Sequence, residues 1–402
     1  MPTPAPRSAH GQPAEVLRVA LRLGLTSFGG PIAHLGYFER VYVREHAWLS
    51  AEQYAALVGL CQILPGPTSS QVGFLIGLHR AGWRGAVAAW VGFTVPSALL
   101  LYACARFSTR VQGPLVDATV HGLKLVAVAV VAQAVWSMAC RLCTDASTGL
   151  IALCAVALLL ASGAPGVQLV ALAAGFAAGL LWCRPASVPP VGADPPAGGR
   201  AAWLALATFG VLLLALPLLA WRYPHSRIAL AQVFYRAGAL VFGGGHVVLP
   251  LLRAPLVPGW MSDDTFLSGY GLAQAVPGPL FTVAAYLGAL AAASAPTAGA
   301  LIALVAIFTP GLLLAVAGSS LWTVLAHRTR LRAGVSGINA AVVGVLGAAL
   351  YDPVWTSAVH DAADVALASG ALLLLLTQRV PPLVVVALCA ALSVARRASG
   401  GV

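Results

Sequence analysis

Charge is scarce in this chain. Of its 402 residues only 9% are charged, against 59% that are apolar. A soluble domain of this length exposes more surface than so few charges can cover, which excludes a water-soluble enzyme. Lysine is scarcer still: of 23 Lys and Arg residues, the single lysine is Lys124. Acids number only 12, too few to furnish an extended carboxylate relay. Of the 7 cysteines, Cys61, Cys104, Cys154 and Cys389 fall inside apolar runs, where a thiol acts as a small apolar residue. Cys140 and Cys143 make a C-x-x-C with no second pair to complete a zinc site. No G-x-x-x-x-G-K-[ST] phosphate loop occurs, which excludes that route to ATP-driven work. No metal, no cofactor, no nucleic-acid partner and no catalytic residue are expected.

Apolar runs of membrane-spanning length are abundant instead. The expectation is an all-α polytopic membrane protein whose partner is the lipid bilayer; the sequence leaves open whether it forms a homo-oligomer. Thirteen helical segments are predicted, near 14–30, 54–76, 84–106, 115–139, 147–162, 166–183, 201–221, 228–250, 265–291, 297–325, 332–350, 362–378 and 380–396. The last two are short enough to form a hairpin that does not fully cross. Residues 1–13, rich in Pro and Ala, read as a disordered tail with no secretory signal. The Pro-, Gly- and Ala-rich stretch 184–200 reads as a linker; with the connecting helix it occupies 184–227.

The segments repeat. Arg22, Phe28-Gly29-Gly30, Trp48-Leu49-Ser50, Gln62, Pro65-Gly66-Pro67 and Pro96 recur, at an offset of 212–214, as Arg236, Phe242-Gly243-Gly244, Trp260-Met261-Ser262, Gln274, Pro277-Gly278-Pro279 and Pro310. The two homologous units are placed at 14–183 and 228–396. A helix cannot pass two closely spaced prolines with its hydrogen bonds intact, so each Pro-Gly-Pro predicts a broken or re-entrant helix. Loop charges alternate between the copies: His79, Arg80 and Arg84 have no charged counterpart at 292–297, whereas Arg328, Arg330 and Arg332 face a weaker set at Arg106, Arg110 and Asp117. Positive-inside logic therefore orients the copies oppositely, an inverted-topology repeat with the N-terminus inside and the C-terminus outside. Arg396 and Arg397 argue against that last placement.

Arg22 and Arg236 are the first candidates for chemistry. Each lies about 12 Å into its helix by the helical rise, where an unpaired guanidinium is costly unless it snorkels to the surface. Across a pseudo-twofold axis the two would converge and hold an anion, because the planar guanidinium fork suits oxyanions. Lys124 and its repeat counterpart Asn339 could add a cation and a neutral donor, or Lys124 could snorkel. Gly29 and Gly30, with Gly243 and Gly244, allow close backbone approach to a ligand or simply to another helix. His246 follows the second motif. Thr68 and Ser69 after the first Pro-Gly-Pro open a half-helix whose free amides attract anions, or merely cap the break. Gln62 and Gln274, one turn before each break, could bridge substrate or backbone. Ser50 with Glu52, and Ser262 with Asp264, read mainly as helix caps, with proton coupling as the other reading.

Leu-Thr-Ser-Phe-Gly-Gly-Pro-Ile-Ala-His-Leu-Gly (25–36), Ile-Leu-Pro-Gly-Pro (63–67), Phe-Gly-Gly-Gly-His-Val-Val-Leu-Pro (242–250) and Gln-Ala-Val-Pro-Gly-Pro (274–279) resemble the chromate transporter family, in its long two-domain form. His246 departs from the family pattern, in which an aromatic such as Tyr is commoner. The resemblance implies efflux of chromate across the bacterial inner membrane, giving chromate resistance, with sulfate as a competitor. Export of a dianion needs no ATP: each charge moved across 100 mV is worth about 2.3 kcal/mol, so an inside-negative potential drives export by roughly 4–5 kcal/mol. Proton exchange is a second means of coupling. An uptake carrier or exchanger for sulfate or another oxyanion fits the same residues. A membrane-embedded enzyme would need clustered His, Cys or carboxylates, which the spans lack.

Overall fold

The computed structural model describes residues 11–108, 113–162, 166–183, 199–224, 226–242, 245–377 and 380–399, without the side chains of Ile32 and 321–327. Among the described residues every regular element is helical. The first repeat opens with α1 (Pro13–Thr26), which ends because Gly29 (φ 97°) and Gly30 (φ 79°) turn the chain into the left-handed region. Next come α2 (Gly30–Phe38) and a π-helical extension over Glu39–Glu45. α3 (Ala51–Ile63) starts on a reciprocal cap: Gln53 N donates to Ser50 Oγ (3.1 Å) and Ser50 N donates to Gln53 Oε1 (2.9 Å). It stops at Pro65-Gly66-Pro67, where Gly66 takes φ 122°. α4 (Thr68–Ser108) folds back sharply at Ala81 and Gly82, giving a short arm over 68–80 and a long arm from 83. The arms cross so closely that a Cβ on Gly77 would lie 2.4 Å from Gly85 O.

Three contacts put the ends of these elements on one face. Gly11 N donates to Arg80 O (2.9 Å), Arg80 pairs with Glu15 (3.2 Å), and its guanidinium lies 5.4 Å from the Trp48 ring centroid. The starts of α1 and α3 and the fold in α4 therefore share a first face. Tyr42 stacks on Trp48 (5.1 Å), which returns the α2 extension there too. So α1 with α2, and α3 with the short arm of α4, both enter and leave by the same face. They are re-entrant pairs, tolerated in a bilayer because the Pro-Gly-Pro break is largely buried in protein and the Gly29-Gly30 break lines a cavity. The long arm of α4 leads away to the second face, and α5 (Pro114–Leu142) follows it. The hairpin of α6 (Ala146–Ala161) and α7 (Val167–Trp182) and the connecting helix α8 (Gly199–Arg222) complete this half.

The second repeat runs through α9 (Arg227–Leu240), α10 (Val248–Leu256), α11 (Asp263–Ala275), α12 (Val283–Ala291) and α13 (Pro296–His327). Ser262 caps α11 as Ser50 caps α3. Gly278 (φ 100°) opens the break, and a Cβ on Gly288 would lie 2.5 Å from Gly299 O, matching Gly77 against Gly85. The halves are upside down to each other. Tyr102 OH meets Thr297 Oγ1 at 2.7 Å, while the rings of Trp90 and Phe308 sit 5.8 Å apart. Numbering falls along α4 as it rises along α13, so these helices are antiparallel. The start of α13 thus lies at the end of α4, opposite its repeat counterpart.

The chain ends with α14 (Thr329–Ala349), a π-helical segment Leu350–Trp355, α15 (Thr356–Ala358), α16 (Ala362–Leu376) and α17 (Pro382–Ala398). Each half's last hairpin packs on the other half. A Cβ on Gly122 of α5 would lie 2.8 Å from Ala390 Cα of α17, and one on Gly337 of α14 would lie 2.1 Å from Gly175 O of α7. Small residues at these crossings let the backbones approach.

The thirteen predicted segments are thus subdivided. Among the described residues, five helical stretches are long and apolar enough to cross a membrane by length and composition: Thr68–Ser108, Pro114–Leu142, Gly199–Arg222, Pro296–Ser320 and Thr329–Ala358. The segments expected at 14–30 and 228–250 are each broken after one short helix, and those at 54–76 and 265–291 are re-entrant pairs. Residues 1–10 of the tail and 184–198 of the linker lie outside the described residues. Arg396, which argued against an outside C-terminus, is ion-paired with Asp361 and, at 3.0 Å, with Asp364.

Candidate functional site

The two Pro-Gly-Pro breaks cross at the centre. Gly66 N donates to Val241 O (2.7 Å) and Gly278 N donates to Ser27 O (2.8 Å). Val241 and Ser27 are repeat counterparts, so these are one bond made twice about the pseudo-twofold. A Cβ on Gly66 would lie 2.8 Å from Gly311 Cα, and one on Gly278 would lie 2.9 Å from Ser97 Oγ. Each break therefore packs beside the helix proline of the other half, Pro310 or Pro96. Gln71 ties one crossing together, its Nε2 donating to Pro65 O and to Gly311 O, both at 2.9 Å.

Beside the crossing is a cavity of about 50 Å³ lined by residues of both halves, among them Gly29, Gly30, Gln133, His246, Gln274 and Gly278. That space holds a few waters or one small ion. His246 Nδ1 is 2.8 Å from Tyr270 OH, while a Cβ on Gly30 would come within 4.0 Å of His246 Nε2. Gln274 Nε2 is buried without a partner.

Around the crossing the repeats differ. Ser27, His34, Ser69, Ser70 and Thr94 of the first half are all buried. His34 reaches Ser27 O with Nε2 (3.2 Å) and Ser69 Oγ with Nδ1 (3.4 Å). The hydroxyls of Ser27, Ser70 and Thr94 are buried with no partner. The first amide of α4 bonded along the helix is that of Gln71, to Pro67 O (3.0 Å), so the amides of Thr68, Ser69 and Ser70 precede the ladder. A half-helix start with unused hydroxyls is an anion-binding environment. The equivalent second-half positions carry Val241, Val248, Phe281, Thr282 and Phe308, all buried; only Thr282 is polar, and its hydroxyl is spent on Pro279 O (2.7 Å).

A wider cleft, about 580 Å³, lies toward the second face. Its polar lining includes Arg236, Gln232, Arg253, Gln168 and Asp352. Arg253 is committed to Asp263 through two bonds, at 2.7 and 2.8 Å. Arg236 has no ion pair among the described residues.

The expected convergence of Arg22 and Arg236 is not observed. Arg22 is exposed toward the first face, where it adds to the Arg40 hydrogen bond in holding Glu45 below the usual carboxylate range. Arg236 lines the cleft of the opposite face, because inversion sends matched residues to opposite sides unless they lie near the axis. Lys124, buried in α5, pairs with Asp264 (2.5 Å) and donates to Ser357 O (3.4 Å), so its charge has a partner. Asn339 lies half-buried in α14 with Oδ1 unpartnered. Gln62 is exposed, unlike Gln274. Pro65 and Pro67, with Pro277 and Pro279, frame the breaks; Gly243 and Gly244 lie outside the described residues. The sequence reading passed over Ser27, Thr94 and Gln133. Comparing the repeats position by position, with Thr94 against Phe308 and Ser27 against Val241, is the signal that exposes the first two.

Known proteins agree with this architecture. A family model described as chromate transporter matches residues 14–180 and again 228–394. A chromate transport protein of Cupriavidus metallidurans is 28% identical over 397 residues, covering 95% of this chain and 94% of the relative. One of Pseudomonas aeruginosa is 28% identical over 347 residues, covering 83% of this chain and 79% of the relative. A probable chromate transport protein of Synechococcus elongatus is 27% identical, covering 85% of each. No solved structure matches the chain. With a doubled unit, re-entrant helices and relatives named as transport proteins, this is a multi-pass membrane transporter and not an enzyme. The chain belongs to the chromate transporter family.

Proposed function

We propose that the protein is a secondary carrier that exports chromate across the bacterial inner membrane and so confers chromate resistance. The observation that carries this reading is the crossed pair of helix breaks. The half-helix start at Thr68 and the unpartnered hydroxyls of Ser27, Ser70 and Thr94 belong to the segments that meet at this crossing, which has a cavity beside it, between halves that are inverted copies. A tetrahedral dianion accepts hydrogen bonds on every oxygen, so donors that have no protein acceptor suit it. Positive-inside logic makes the first face, with Arg40, Arg44, Arg80 and Arg84, cytoplasmic. The dianion then loads from that side, is held at the crossing and leaves through the cleft of Arg236. Residues 14–183 and 228–396 act as the two modules that rock about this centre, joined by 184–227. Chromate as cargo rests on the names of the relatives. Sulfate competes because its shape and charge are the same.

The membrane potential favours export by roughly 4–5 kcal/mol for two charges at 100 mV. Flux of chromate and of sulfate in sealed vesicles, with an imposed potential and separately with a pH gradient, tests the reading. Outward flux that follows the potential supports it. Net uptake into expressing cells would instead make the protein an oxyanion importer or exchanger, the second reading that the same donors allow.

A further inference from the structure

On the second face, away from the crossing, His121 of α5 meets His360 and Asp364 at the start of α16. One ligand atom from each lies within 4.8 Å of the others. His121 Nε2 is 2.9 Å from Asp364 Oδ1, and His360 Nδ1 is 3.7 Å from Asp364 Oδ2. Asp364 is buried, whereas the His360 side chain is 60% exposed, so the group is reachable from solvent. Asp361 and Arg396 complete it: Arg396 bonds both aspartates. With both imidazoles neutral, two carboxylates face one guanidinium, and one negative charge is left over. Asp361 can hold Arg396 alone, which frees Asp364 to take another cation.

We propose that His121, His360 and Asp364 form a divalent transition-metal site that clamps α5 of the first half to α16 of the second. Two imidazoles and one carboxylate are a donor set for Zn²⁺ or Ni²⁺ and not for Mg²⁺ or Ca²⁺. Ligands on one tetrahedral ion stand about 3.3 Å apart, so side-chain rotations suffice to close the site. The metal replaces the hydrogen bond between His121 and Asp364. The remaining carboxylate oxygen and Arg396 on Asp361 then support it from behind.

The test is calorimetric titration of the tag-free, metal-stripped full chain in detergent with Zn²⁺, Ni²⁺ and Mg²⁺, alongside thermal unfolding. The proposal expects saturation at one Zn²⁺ per chain, a rise in Tm with Zn²⁺ and Ni²⁺ but not Mg²⁺, and loss of both effects in His121→Ala and in His360→Ala. Because His360 is mostly exposed, its variant keeps the fold if His121→Ala does not. Arg396→Gln removes the competing cation and tightens binding. The proposal is overturned if the wild type shows no saturable Zn²⁺ binding. It is equally overturned if binding survives His360→Ala and disappears in the Cys140→Ser/Cys143→Ser double variant, which would place the metal on the thiols.

Discussion

Replacing Thr94 by valine should move stability and ligand binding in opposite directions. Thr94 is fully buried and its hydroxyl has no partner. A buried hydroxyl left without a partner costs about 1–3 kcal/mol relative to one that is satisfied. Valine keeps the branched shape and removes the group, so the empty carrier gains on the order of 1–2 kcal/mol. For a domain of more than 150 residues this is a rise of a few degrees in Tm. With an oxyanion bound, the hydroxyl becomes a charge-assisted donor worth about 1.5–3 kcal/mol. Removing it should weaken affinity by roughly tenfold or more. The assay is thermal unfolding of purified protein with increasing chromate or sulfate. Thr94→Val should start higher than the wild type and gain less from the anion. A lower starting Tm would mean that the hydroxyl has a structural partner. An unchanged anion-induced gain would mean that it does not face the cargo. Either result refutes the placement of the dianion at the first-half helix start.

Other expected outcomes follow from the same geometry. Arg236→Ala should slow vesicle efflux by about tenfold or more, with partial recovery in Arg236→Lys, because lysine keeps the charge and loses the fork; Arg22→Ala, on the opposite face, should leave the dependence on external anion unchanged. Gly278→Ala adds left-handed strain of about 1–2 kcal/mol and overpacking of about 1–3 kcal/mol against Ser97, so expression and Tm should both fall, and Gly66→Ala should do the same against Gly311. Asp264→Asn strands the buried Lys124 ammonium and should lower Tm, whereas Lys124→Met removes the charge itself and should be the milder change in the same melting experiment.

The repeat made much of the fold legible. Matched Gly and Pro positions, scarce charge and alternating loop arginines already implied inverted copies with broken helices, because backbone breaks in lipid need residues of that type at fixed places. The same pattern marked Gly29, Gly30, Gln274 and Gly278, which come together at one cavity. It did not reveal that 14–30 and 228–250 stop short, since a hydropathy window sums over a glycine turn that leaves its average unchanged. It also suggested a meeting of Arg22 and Arg236. A sequence gives position along a helix, not distance from a symmetry axis, and these two residues sit toward opposite faces. Similarly, the partners of Lys124 and Arg396, Asp264 and the pair Asp361 and Asp364, lie on other helices far away in sequence, where no local pattern reveals them.

Composition and periodicity alone settled that the chain lives in lipid, that it is built twice, and where its helices must break, because each of these is dictated by local residue chemistry. The tertiary structure decided which polar groups are left without partners, and that the unpartnered hydroxyls of Ser27, Ser70 and Thr94 have no unpartnered counterpart in the second copy. Burial and hydrogen-bond satisfaction depend on what the other half brings into contact, and no single stretch of sequence contains that information.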